Sequence, residues 1–306
     1  LVGSEMCIRD SYAEALGCCT LVDKTMFIAD VLDCDASVVV CCRPEGFGKS
    51  MNLSMLKAFL ECPAVGRAGQ RLFANAQIWD ADGGRYRDEY ACYPVISLDF
   101  SGAARCGAAV AGVVHNALSG ECARLLPLLE APDLARDKVR HIERVARDAA
   151  SEDEVASVLG VLIELLEMAC DEQVVLLVDG YDAAWLGRAS ARGASGADPA
   201  GLFDRVLFDA IATARDSLRL TCLMGECPGP AEAALSLHCC SYCLTTPLSA
   251  WCDRWLGFSD AEVEALLDHT GREEYLDDAR EWLEGYRFGR AYCSSPARVI
   301  GFLGRG

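Results

Sequence analysis

Gly48, Lys49 and Ser50 stand between a run of three valines, Val38 to Val40, and an apolar helical pattern from Met51 to Leu60. At a strand-to-helix turn of this kind, backbone N–H groups at the helix start can surround a phosphate. A lysine there reaches the β- and γ-phosphates, and the hydroxyl after it ligates Mg²⁺. The full pattern asks for a glycine five residues before the second one, and Arg43 occupies that place. A second group fits the same chemistry. Asp179 ends the apolar run Val174 to Val178, and an acid at the tip of a buried strand is the other usual Mg²⁺ contact. An aspartate at a strand end is also a common turn residue, so the weight rests on the two features together. The expected phosphate-side residues are Arg43, Gly46, Phe47, Gly48, Lys49, Ser50 and Met51, with Ser50 and Asp179 at Mg²⁺ and ATP as the nucleotide.

The elements that must hold these groups are legible as alternating strands and helices. Val38–Cys42 and Val174–Asp179 lack a period, which suits strands buried on both faces. Tyr93 to Phe100 and Leu218 to Met224 read as further strands. Helical patterns cover roughly Ala108 to Leu126, Glu154 to Cys170 and Leu202 to Asp216. This alternation predicts an α/β fold of the P-loop NTPase kind, with a doubly wound parallel sheet flanked by helices. From about Phe258 the pattern predicts helices only, including one over Arg272 to Tyr286, and so a small helical C-terminal subdomain.

Composition narrows the partners. The 306 residues are 52% apolar and 24% charged, a globular balance. Acidic residues number 46 against 28 basic ones, a formal charge of -18, which argues against direct nucleic-acid binding through bulk charge. The longest uncharged stretch, Ala233 to Cys252, carries His238, Pro247 and several serines, so no membrane span is expected. Eighteen cysteines, many at apolar positions, read as core thiols of a cytoplasmic protein. His238, Cys239, Cys240 and Cys243 lack the second ligand pair that a zinc site needs.

The chain resembles the predicted AAA-ATPase-like proteins of bacteria, in which the P-loop domain is often followed by a nuclease-like domain. The resemblance rests on several blocks in order, from about Thr20 onward. Leu21-Val22-Asp23-Lys24-Thr25 is similar to the family's opening Tyr-Val-Asp-Lys-Thr. Arg43, Pro44, Phe47, Gly48, Lys49 and Ser50 match its Arg-Pro-Arg-Arg-Phe-Gly-Lys-Ser loop, and Asn52-Leu53-Ser54-Met55-Leu56 matches the helix after it. Tyr93-Pro94-Val95-Ile96, then Trp282, Gly285-Tyr286-Arg287-Phe288-Gly289, Tyr292 and Pro296 continue the match. The resemblance implies ATP and Mg²⁺ as ligands, an ordinary place for Arg43 in the loop, and an unidentified protein partner. It divides the chain into a P-loop AAA-ATPase-like domain over 12–256 and a truncated helical subdomain over 257–306.

Against that pattern the hydrolytic side is depleted. The family's Asp-Glu-Tyr-Asp is Asp179-Gly180-Tyr181-Asp182 here, which removes the glutamate that would polarise a water. Its Leu-Thr-Gly strand end is Leu223-Met224-Gly225, and an arginine-containing segment has become Glu226 to Pro230. The leading expectation is therefore ATP–Mg²⁺ binding with weak or absent hydrolysis. One alternative is an active ATPase in which another group, Asp182, orients the water, coupled to a nuclease-like domain that could lie only beyond Gly306. The other is an interaction module without nucleotide. On the leading view, Gly180→Glu should raise turnover. Residues 1–11 resemble a translated sequencing adaptor, and are expected to be poorly ordered or loosely laid on the surface.

Overall fold

The computed structural model describes residues 11–16, 22–64, 72–103, 110–190, 199–283 and 285–304. The expectation for the first ten residues, the Leu21 match and the Gly/Ala-rich stretch at 191–198 lie outside the described residues.

The expected parallel sheet is present. β1 (Val38–Cys42), β2 (Val95–Asp99), β3 (Val174–Asp179), β4 (Leu218–Gly225) and β5 (Tyr242–Thr245) lie side by side in the order β2-β3-β4-β1-β5, every pair parallel. Sequence patterning does not reveal β5. It is four residues of mixed polarity, and it becomes a strand by pairing with Val38 to Cys41 at the sheet edge.

Strand residues alternate between two apolar layers because successive side chains point to opposite faces. Along β3, Val174, Leu176 and Val178 join one layer, while Val175 and Leu177 join the other. The first layer is covered by α1 (Val110–Leu125), α2 (Glu152–Cys170) and α3 (Gly229–Leu237). The second is covered by the short helix Met26–Leu32 and by the loop's own helix, Lys49–Leu60. α2 begins with a capping box in which Ser151 and Glu154 satisfy each other's backbone N–H.

Past Phe258 the structure corrects the helix-only expectation. Helices α4 (Asp260–His269), α5 (Leu276–Trp282) and α6 (Pro296–Leu303) are joined by an antiparallel hairpin, β6 (Tyr286–Phe288) and β7 (Ala291–Cys293). Three-residue strands carry too little period-2 signal to be read from sequence. What makes them strands is their inner pair, Phe288 and Cys293, which packs with Phe47 of the glycine loop.

A buried ionic triad fixes the helix layer against the sheet. Arg124 pairs with Glu61 and Glu121 at 2.6 Å each and donates to the Val95 carbonyl. Glu121 also accepts from the Ser97 N–H at 2.6 Å. The two carboxylates are nearly inaccessible to water, at 8% and 7% exposure, so they depend on the guanidinium. Arg124→Ala leaves both uncompensated and is expected to cost about 3 kcal/mol, measurable as a lower urea midpoint at unchanged slope.

Candidate functional site

Strand parity decides where Asp179 points. It follows Val178 on β3 and therefore shares a face with Leu177 and Val175, the face covered by the helix Lys49–Leu60. The five strand ends are level: Asp99 pairs with Asp179, Asp179 with Met224, and Cys42 with Gly225. The loop leaving β1 thus opens beside the end of β3, one strand removed. Gly48 takes the left-handed conformation, φ +78°, and caps the helix that starts at Lys49. No Cβ penalty applies to glycine there, and the first N–H groups of the helix are left for an external acceptor.

Two of the expected contacts meet directly. The Ser50 hydroxyl donates to the Asp179 carboxylate across a very short hydrogen bond. Burial pushes the Asp179 carboxyl up from its ordinary value, and the neighbouring Asp99 adds in the same direction. The Ser50 hydrogen bond and the Lys49 ammonium pull it back down. A buried hydroxyl–carboxylate pair holding incompletely balanced negative charge is an oxygen donor set that suits a hard divalent cation such as Mg²⁺. Lys49 is folded back on its own loop, donating to the carbonyls of Arg43 and Pro44 at 2.8 and 2.9 Å, with Glu226 at 3.8 Å. A phosphate entering the loop would exchange those carbonyls for its own oxygens.

Arg43 and Phe47 do other work with their side chains. Arg43 is fully buried, and its Nη1 donates to the carbonyls of Cys42 and Thr246 at 2.9 and 3.0 Å. Its guanidinium lies 4.5 Å from the centre of the Phe288 ring. Phe47 meets Tyr286 and Phe288 edge-on at about 5 Å. Gly46 offers its carbonyl to the Ser295 hydroxyl at 3.0 Å and the Ala297 N–H at 3.2 Å. The C-terminal hairpin and the start of α6 therefore hold the outer wall of the loop. Family pattern alone does not give this role to Tyr286, Phe288 and Ser295, because the contacts span more than 240 residues of sequence. Gly48, Lys49 and Ser50 remain facing the strand ends. Met51 lies on the far side of the helix start, beside Trp255 and Phe258.

On the hydrolytic side the chain has closed in. Gly180 sits at φ +68°, and a Cβ added there would lie 2.6 Å from the Ser101 nitrogen. That is far inside contact distance, so the missing glutamate is more than a trimmed side chain: the backbone after β2 fills its space. Met224 is wholly buried in the layer under the loop helix. Asp182, the candidate for orienting a water, is 1% exposed, and its Oδ2 accepts the N–H groups of Glu226 and Cys227 at 2.8 and 2.5 Å. The Tyr181 hydroxyl donates to the Cys227 carbonyl at 2.7 Å. Tyr181 and Asp182 together pin the turn after β4. The carboxylate that does face outward beside Asp179 is Asp99, exposed, with its Oδ1 accepting the Ser101 N–H at 2.8 Å.

The raised Asp179 carboxyl has a stability consequence. A carboxyl whose folded pKa lies above its unfolded value favours the fold when protonated. That contribution is lost as pH rises through the folded pKa. Asp179→Asn should therefore melt higher than wild type at neutral pH without metal. The gap should shrink toward zero as pH falls below the ordinary aspartate range, read by thermal melts across a pH series.

A family model described as Predicted AAA-ATPase matches residues 14–228. The matched span takes in all of β1 to β4, the glycine loop and Asp179, and ends before β5 and the C-terminal hairpin. No curated protein and no solved structure matches the chain.

Proposed function

The chain belongs to the predicted AAA-ATPase family, and from that premise we propose that it binds ATP–Mg²⁺ and turns it over slowly or not at all. The observation that carries the reading is the Ser50–Asp179 contact beside Lys49 at the start of the loop helix. In this reading the N–H groups from Gly46 to Met51 and the Lys49 ammonium take the phosphate oxygens. Ser50 and Asp179 hold Mg²⁺, which would neutralise charge between the β- and γ-phosphates. Arg43 and Phe47 contribute by fixing the loop's shape.

Slow turnover follows from the other half of the site. Hydrolysis needs a positioned water and stabilisation of charge on the γ-phosphoryl group. Gly180 brings no group, Met224 is apolar, and Glu226 places a negative charge near Lys49. A second reading, a working ATPase, is favoured by one observation: Asp99 lies next to Asp179 with an exposed carboxylate. Asp182, committed to two backbone N–H groups, serves this second reading less well.

Of the described residues no helix is long and apolar enough to cross a membrane. Six of the described cysteines are buried free thiols. A cytoplasmic setting, where thiols stay reduced, agrees with them.

Thermal melts of the full chain test binding. ATP–Mg²⁺ at a hundred times its dissociation constant should add about 2.7 kcal/mol of stability, and Lys49→Ala should abolish the shift. No shift at millimolar ATP–Mg²⁺ would leave the interaction-module alternative standing. Phosphate release, with Lys49→Ala as the contamination control, tests turnover. A wild-type rate above about one per second, lost in Asp99→Asn but kept in Asp182→Asn, would establish the second reading. Gly180→Glu should not restore activity, contrary to the expectation from family pattern. Its side chain has no room against Ser101, so the variant should melt lower than wild type and release phosphate no faster.

A further inference from the structure

Beside the glycine loop, on the side away from Asp179, lies a pocket of about 590 Å³ counting its open mouth. That volume is within the range of small-ligand sites. Gly48 and Met51 form its floor at the start of the loop helix, and its walls are Tyr12, Trp255, Phe258 and Ile300. These come from opposite ends of the chain: Tyr12 precedes the sheet, and Ile300 lies on α6. The surface is apolar and rich in flat side chains, as a stacked ring would need.

One polar group there lacks a partner. Asn52 lines the pocket, is 5% exposed, and its Oδ1 has no hydrogen-bond partner. Its orientation is fixed, because Nδ2 donates to the carbonyls of Gly48 and Trp255 at 2.9 and 3.4 Å. Carbonyls accept only, so the amide nitrogen must face them and the oxygen is the free end. A buried acceptor left unpaired costs stability unless something donates to it. The pocket's other polar side chain, Lys24, is already committed to Glu262 at 2.6 Å and to the Arg254 carbonyl at 2.9 Å.

We propose that this pocket receives the base of the bound nucleotide, and that Asn52 Oδ1 accepts from the exocyclic amino group of adenine. The inference rests on the phosphate reading above, since the base must enter from a triphosphate seated on the same helix start. It adds a preference. A purine with a carbonyl at the corresponding position, hypoxanthine or guanine, presents an acceptor to an acceptor, with Asn52 Nδ2 and Lys24 already engaged. It also makes α6 a wall of the nucleotide site, so the base binds between the two ends of the chain.

Calorimetric titration of the full chain with ATP, ITP, GTP and inorganic tripolyphosphate, each with Mg²⁺, separates the two claims. ATP should bind at least tenfold more tightly than tripolyphosphate, and about tenfold more tightly than ITP or GTP. Ile300→Trp, which fills the pocket from α6, should bring ATP down to the affinity of tripolyphosphate while leaving tripolyphosphate unchanged. Asn52→Leu should remove the difference between ATP and ITP. Equal wild-type affinity for ATP and tripolyphosphate would overturn the base pocket and leave the phosphate site intact. Equal affinity for ATP, ITP and GTP would overturn the role of Asn52. Failure of all four to bind would overturn the phosphate reading and this one with it.

Discussion

A strand buried on both faces gives its last residue only two directions, and the site depends on which of them Asp179 takes. The count from Val174 puts its carboxylate on the side of the loop helix, against Ser50. One residue more or less in β3 would turn it into the opposite helix layer, because register and facing are locked together in a sheet. Burial raises the energy of that ionised carboxylate. The fold tolerates the cost because the apolar pairings of β3 with β2 and β4 hold the strand in place regardless.

The glycine loop is constrained from the outside by a buried cation. Arg43 has no carboxylate partner, only two carbonyls and the face of Phe288. Those partners belong to the strand it leaves, to the residue after β5 and to the C-terminal hairpin. The guanidinium therefore joins three parts of the chain at the base of the loop. Phe47 and the Gly46 carbonyl extend the same contact to β6, β7 and α6. The shape of a phosphate-binding turn is here a property of residues far beyond it. Any change at the hairpin must be felt at Gly46 to Gly48.

Seen together, the two halves of the site have diverged. The binding half keeps a lysine, a hydroxyl and a carboxylate in contact. The hydrolytic half has been rebuilt as structure: Tyr181 and Asp182 anchor the turn at 226–227, and the backbone at Phe100–Ser101 lies against Gly180. A residue that cannot be restored without moving the main chain is a deeper loss than a point substitution.

From sequence alone, the valine run before Gly48-Lys49-Ser50, the apolar run before Asp179 and the helix periods between them determined the parallel α/β sheet and the residues at its phosphate end. These are local signals, in which each residue type is tied to its neighbours by strand or helix spacing. The hairpin at 286–293, the strand at 242–245, the burial of Arg43 and the crowding at Gly180 were decided only by tertiary structure. Each depends on what packs across a long sequence separation, and a three-residue strand or a single glycine carries no local record of that. The resemblance to a family pointed to an absent glutamate. Only the fold shows that another part of the backbone has taken its place.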